Sequence, residues 1–268
     1  LEFSEQQIQR YARHILLDQI GGTGQASLID SKVLVVGAGG LGSPVILYLA
    51  AAGVGTIGVI DDDVVDLSNL QRQILHTTRS VGTAKVLSAE QTIHGINPEV
   101  KIIPIQERIG PDNAMDIIAD YDLVADGCDN FETRFLVNDA CYFSRKTLVS
   151  AAILRFDGQI YTFKPHEKDA EGNQLPCYRC LFPKAPPPGQ IPTCAEAGVL
   201  GALCGTVGSL QTTEIIKELL GIGESLAGSL VIYEGLSSEF RKITIKADPG
   251  CHLCGANPEI TDLSSHVK

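Results

Sequence analysis

The sequence predicts an α/β protein with a Rossmann-like, mostly parallel sheet, continued by antiparallel strands and holding a structural zinc site. Three observations carry this. Val33 to Val36 runs into a glycine turn and a helical stretch, and a second apolar run closes on Asp61. Strand and helix periods then alternate as far as Leu148. Beyond it, segments that alternate apolar and polar residues read as antiparallel strands, and two C-x-x-C pairs lie among them.

Taken in order, Ser4 to Asp18 reads as an amphipathic helix. Ser4 and Gln7 fit a capping box, and Ile8, Tyr11, Ala12, Ile15 and Leu16 share a face. Arg10, Arg13 and His14 lie opposite, where Arg13 alone reads as a solvated charge. Gly21, Gly22 and Gly24 are expected to end the helix. After Asp61 comes a loop from Asp62 to Val81. Thr83 to Ile96 reads as a helix with Val86, Ala89 and Ile93 inward. Val100 to Ile105 follows as a strand, Asp112 to Ala119 as a helix and Asp122 to Ala125 as a buried strand. Its end, Asp126 to Asn130, opens a helix running to about Phe143. Further strands are expected at Gln159 to Phe163, Leu230 to Tyr233 and Arg241 to Ile245. Between them lie a proline-rich loop, Lys164 to Thr193, and a helix of small residues, Leu200 to Leu220, that stops at Gly221.

The glycine turn has the chemistry of a phosphate site. Gly37 permits a tight turn, Gly39 lets backbone approach a phosphate, and Gly42 allows close helix packing. The helix N-terminus behind it favours an anion, and Asp61 is placed to bind ribose hydroxyls. Arg72, Lys85, Asp129 and Asn130 fall near the same strand ends. Two cations there suit a triphosphate, and a carboxylate suits magnesium. Lys85 opens a helix, where the dipole disfavours a cation, so a bound anion is expected to compensate.

The 268 residues, 44% hydrophobic and 20% charged, suit one continuous domain. It divides into a nucleotide-binding half, 1–150, and a second half, 151–268. A net charge of −11 argues against a nucleic-acid binder. The longest apolar helix, near Val45 to Val54, is too short for a membrane span. Leu1-Glu2-Phe3 lacks a starting Met and reads as a cut end or an appended scar. Eight cysteines without a secretion signal favour metal or thiol chemistry and a cytoplasmic address.

Cys177, Cys180, Cys251 and Cys254 supply four thiolates, the set for closed, tetrahedral zinc. Some 70 residues separate the pairs, so the fold must assemble the site. A redox C-x-x-C is the alternative. Cys194 precedes a helix, where a thiol is either an activated nucleophile or a small buried residue. Cys128, Cys141 and Cys204 read as core.

GAGGLGSP, the Asp61 to Gln73 run, Lys85, the Asp126 to Asn130 loop, CAEAGV and the paired knuckles together resemble the ThiF/MoeB/HesA adenylating enzymes, relatives of the ubiquitin-activating enzymes. The resemblance covers Ser4 to Ala256. It implies ATP and magnesium on the glycine turn, and adenylation of the C-terminal glycine carboxylate of a ubiquitin-like sulfur carrier ending in Gly-Gly. Pyrophosphate leaves, and thiocarboxylate formation follows.

By the same resemblance Gly37, Gly39, Gly40 and Gly42 line the phosphate turn, and Asp61 binds ribose. The run Asp63, Ser68, Asn69, Leu70, Gln71, Arg72 and Gln73 contributes to the nucleotide site, with Asn69 and Arg72 on phosphates. Lys85 meets the triphosphate, Asp129 is the metal-linked acid, and Asn130 stands beside it. Arg13 is the arginine that crosses a homodimer interface into the partner's site. Cys194 matches a loop cysteine that some members use for a covalent step. The second half becomes the carrier-binding and zinc half, with the proline-rich loop clamping the carrier's tail.

A rhodanese or cysteine desulfurase is the expected sulfur donor. Only Gly255 to Lys268 follows the last knuckle, so a fused rhodanese domain is expected to be absent or cut away. The pathway implied is molybdopterin or thiamin biosynthesis, or siderophore or tRNA thiolation. Rival readings are a NAD-dependent oxidoreductase on the same glycine turn and a non-catalytic partner subunit of an activating heterodimer. A further rival adenylates a peptide or a tRNA-linked group.

Overall fold

The structure is a computed structural model describing residues 2–187, 190 and 194–267, without the side chains of 194 and 195. Helix α1 (Glu5–Ile15) begins with the expected capping box: Gln7 N–H donates to Ser4 Oγ, and Ser4 N–H to Gln7 Oε1. Its apolar face departs from expectation. Tyr11 is buried, but Ile8 is 50% and Leu16 71% exposed, so this chain covers little of that stripe. The glycines after it do not end helical structure. Gly21 instead opens a second helix, α2 (Gly21–Asp30). Glycine is a poor helix former in isolation, but here tertiary contact decides, with Gly24 set closely against Ile20 and Leu220.

Strand β1 (Lys32–Val36), helix α3 (Gly42–Ala52) and strand β2 (Thr56–Ile60) follow as expected. Helix α4 (Lys85–Ile96), β3 (Lys101–Ile105), α5 (Ala114–Ala119), β4 (Leu123–Asp126) and α6 (Phe131–Phe143) complete the alternating part. Then come β5 (Thr147–Leu154), β6 (Asp157–Phe163), the short helices α7 (Tyr178–Leu181) and α8 (Cys194–Ala197), α9 (Gly201–Leu220), β7 (Ser229–Glu234) and β8 (Glu239–Thr244). Pro188, Gly189 and Pro192 of the proline-rich loop lie outside the described residues.

All eight strands form one sheet in the order β3-β2-β1-β4-β5-β6-β7-β8. The first five are parallel and the last three join antiparallel. Strand β5, which the sequence pattern did not resolve, is the pivot. Its first half pairs parallel with β4, while Leu148 to Leu154 runs antiparallel to β6.

Strand β1 shows why the parallel strands read as unbroken apolar runs. Val33 and Val35 enter a core shared with α3, α4 and α9, while Leu34 and Val36 enter the other, under α5 and α6. Both faces are covered, so both residue parities must be apolar. The small residues of α9 have a packing role: a Cβ at Gly208 would lie 2.4 Å from Pro44 Cγ on α3. Gly221, at φ +63°, caps that helix in the left-handed region.

Candidate functional site

Strand order reverses at β1: β2 and β3 lie on one side, β4 and β5 on the other. In open α/β sheets such a reversal leaves a crevice at the carboxyl ends of the strands. A cavity of about 760 Å³ opens there. Gly37, Gly39, Gly40, Asp61, Asp63, Arg72, Gln73, Lys85, Asp129 and Asn130 all line it. The wall opposite the glycine turn comes from β5 and β6 and from Tyr178, Phe182, Lys184 and Val199. The site therefore spans both halves of the sheet.

The glycine turn is built as its residues require. Gly37 has φ +94°, and a Cβ on Gly42 would lie 1.8 Å from the Gly37 carbonyl oxygen. Asp61 belongs to the same turn structurally. Its carboxylate accepts from Ala38 N–H at 2.8 Å and Asp63 N–H at 2.9 Å, fixing the end of β2 to the glycine turn.

Lys85 is buried, and its ammonium donates to Asp63 Oδ2 at 2.7 Å, with Asp61 Oδ1 at 3.9 Å. The anions that offset this cation at a helix start are the protein's own, so no bound anion is required to explain it. Arg72 donates to the Ser68 carbonyl at 3.2 Å. A short turn, Leu67–Asn69, places it: the Asn69 carbonyl accepts from both Arg72 N–H and Gln73 N–H. Ser68, Asn69, Leu70 and Gln71 build this turn without lining the cavity, and Gln71 backs onto Gly201 of α9. Gln73 is buried, and its Oε1 has no hydrogen-bond partner among the described residues.

Asp129 is exposed in the cavity wall, and its carboxylate makes no hydrogen bond among the described residues. Asn130 has a second use, accepting from Thr133 N–H as the N-cap of α6. Arg13 lies exposed on α1 and does not line this chain's cavity. The side chain of Cys194 lies outside the described residues.

A buried pair at the cavity, Asp126 with Arg134 in the cavity wall, went unread as a pair in the sequence. Asp126 accepts from Ser150 Oγ and Cys128 N–H, and Arg134 Nε lies 3.5 Å from it. Arg134 also donates to the carbonyls of Cys128 and Ala151. Burial works against the Arg134 cation, but the charge of Asp126, together with smaller contributions from its other neighbours, outweighs it and holds the pKa above its usual value. Burial, then the Asp126 charge, push the Cys128 thiol well up, so it stays protonated. Asp126 closes a strand and Arg134 sits in the first turn of α6, a spacing with no local signal.

Cys177, Cys180, Cys251 and Cys254 come together with all four sulfurs within 4.8 Å of one another, four of the six Sγ–Sγ distances being 3.4 to 3.9 Å. Four sulfurs bound tetrahedrally at about 2.3 Å from an ion lie about 3.8 Å apart, so the cluster fits a closed four-thiolate metal site. Asp139 of α6 anchors it, accepting from Arg179 Nε and Nη2 at 2.8 and 2.7 Å and from His266 Nε2 at 2.8 Å. Among the described residues, no helix is long and apolar enough to cross a membrane.

The fold and cavity define an α/β protein with a glycine-turn-lined cavity at the switch point of its sheet. The chain belongs to the ThiF family, whose model matches residues 11–253. It is 48% identical to the sulfur carrier protein adenylyltransferase of Thermus thermophilus over 98% of this chain and 96% of that one. The SAMP-activating enzyme E1 of Haloferax volcanii is also 48% identical, over 95% of this chain and 92% of that one. The probable adenylyltransferase/sulfurtransferase MoeZ of Mycobacterium tuberculosis is again 48% identical, this chain spanning 64% of its length. Escherichia coli MccB, solved with AMPCPP and MccA, shares the fold with a TM-score of 0.79 at 21% identity, over 92% of this chain and 74% of that one.

Proposed function

We propose that this chain is an adenylyltransferase that joins AMP to the C-terminal glycine carboxylate of a ubiquitin-like sulfur-carrier protein ending in Gly-Gly. The observation carrying this reading is the single cavity that brings the glycine turn, Arg72, Lys85 and Asp129 opposite a wall from β5 and β6. ATP occupies the glycine-turn end, and the carrier's tail enters along the second wall. Residues 1–150 act as the nucleotide half and 151–268 as the carrier and metal half of one domain.

The carboxylate oxygen attacks the α-phosphorus and the bond to pyrophosphate breaks. Two anions must meet, so Arg72 and Lys85 screen their repulsion and stabilise charge on the α-phosphate. Lys85 exchanges Asp63 for a phosphate oxygen when ATP binds. Asp129, with its carboxylate unengaged, is the group to hold magnesium, which would neutralise phosphate charge. Gln73 and the Asn69 turn set the position of Arg72.

In this reading the protein works as a cytoplasmic homodimer, with Arg13 reaching the partner's nucleotide. The exposed Ile8 and Leu16 on α1 suit a covered interface. Zinc in the four-cysteine cluster is structural, tying the segment around α7 to the C-terminal turn. Sulfur arrives from a rhodanese or cysteine desulfurase, and Cys194 serves that later step. A NAD-dependent oxidoreductase would use the same glycine turn but leaves Arg72, Lys85 and Asp129 without a role.

The test is exchange of labelled pyrophosphate into ATP with candidate carriers ending in Gly-Gly. Carrier-dependent exchange is expected; tight nicotinamide binding with no exchange would overturn the reading.

A further inference from the structure

His76 follows the Asn69–Gln73 turn, is 5% exposed and does not line the cavity. Its backbone N–H donates to the Gln73 carbonyl at 3.0 Å. Its ring bridges two other elements: Nε2 lies 2.9 Å from the Ala38 carbonyl of the glycine turn, and Nδ1 lies 2.9 Å from Ser88 Oγ on α4. Ser88 stands one turn along that helix from Lys85.

The partners dictate the tautomer. A carbonyl only accepts, so Nε2 carries the proton, and Nδ1 accepts from the Ser88 hydroxyl. Burial, with Lys85 nearby, lowers the ring's pKa and favours this neutral form. Ala38 is thereby held through both flanking peptides: its N–H by Asp61, its carbonyl by His76. That orientation matters at a phosphate site. A carbonyl facing the ligand repels it, whereas one turned into the protein leaves the turn's N–H groups to the anion. The same ring joins the three segments that supply the glycine turn, Arg72 and Lys85. A second bond, from Thr92 Oγ1 to the Leu75 carbonyl at 2.8 Å, ties the turn to α4 but does not reach Ala38.

We propose that His76 is a positioning residue for the nucleotide: a neutral imidazole strut that turns the Ala38 carbonyl inward and holds the glycine turn in register with Arg72 and Lys85. The proposal rests on reading the cavity as an ATP site. A histidine that only fills the core would lower stability when replaced without separating one substrate from another.

The test is ATP affinity by calorimetry, without carrier, on three folded variants, followed by the two Michaelis constants in pyrophosphate exchange. His76→Phe keeps a ring and loses both bonds, and it weakens ATP binding about tenfold while the carrier KM moves by less than about twofold. His76→Gln places an N–H near the Nε2 position and recovers most of the loss. His76→Asn reaches only the Nδ1 position and does not. Imidazole nitrogen shifts of the wild-type protein show the neutral Nε2–H tautomer.

Wild-type ATP affinity in folded His76→Phe, or equal weakening in the Gln and Asn variants, overturns the strut. If His76→Phe fails to fold, the Gln–Asn comparison decides. If no carrier supports exchange while ATP binding still follows the Gln-over-Asn order, the strut stands and the carrier reading falls.

Discussion

Lys85 Nζ lies 2.7 Å from Asp63 Oδ2, so the cavity contains a paired, buried cation. Replacing it removes charge from the place where α-phosphate charge is expected to develop. Lys85→Met is expected to lower kcat for pyrophosphate exchange roughly 100-fold, in the range for loss of one preorganised charge stabiliser. A folded Lys85→Met protein with wild-type exchange kinetics would remove Lys85 from the reaction.

The four-cysteine cluster makes a separate, stoichiometric prediction. Elemental analysis of the purified protein should find one zinc per chain, and Cys251→Ser should lose it with a clear fall in melting temperature. Metal binding contributes directly to folding free energy. A fully stable protein with four free thiols and no metal would contradict a structural zinc site.

Arg13 is exposed on α1 and absent from its own chain's cavity. If it serves a partner's site, Arg13→Ala and Lys85→Met are each impaired alone, yet mixing them restores activity, because a mixed dimer holds one intact site. Failure of every mixture, with subunit exchange verified, would leave Arg13 a solvated charge.

Much of this was legible in the residues. The turn Gly37 to Gly42 and the acid at Asp61 were readable as one strand–turn–helix–strand unit, and the structure brings them to one cavity with Lys85, whose place at a helix start is offset by Asp63 and Asp61. The cysteine cluster was readable despite the separation of its halves because two C-x-x-C pairs together supply a complete four-thiolate set. What stayed hidden depends on tertiary contact. Helix α2 forms through three glycines because it packs on α9. Asp126 pairs with Arg134 through geometry that no period encodes. His76 carries no sequence signal of its own, since its partners Ala38 and Ser88 lie on separate elements.

Asp139 shows a pH dependence whose sign is fixed. Burial opposes its ionisation, but hydrogen bonds from His266 and Arg179 outweigh that, and its pKa is lowered. A depressed carboxylate contributes fully above its unfolded value of about 3.9 and loses that contribution as pH falls through its folded value. Asp139→Asn should therefore be less stable by about 1–3 kcal/mol at neutral pH, with the gap narrowing below about pH 4. Urea melts across a pH series measure it. A gap that is unchanged in acid would mean that the Asp139 charge does not stabilise the fold.

The central claim is that one cavity presents the α-phosphate of ATP to a protein's C-terminal glycine. Labelled pyrophosphate exchange into ATP with a matched pair of carriers, one ending in Gly-Gly and one lacking its last glycine, tests it most directly. Exchange with the intact carrier and none with the truncated one is the predicted result. Exchange that ignores the tail, or none with any carrier, would contradict it.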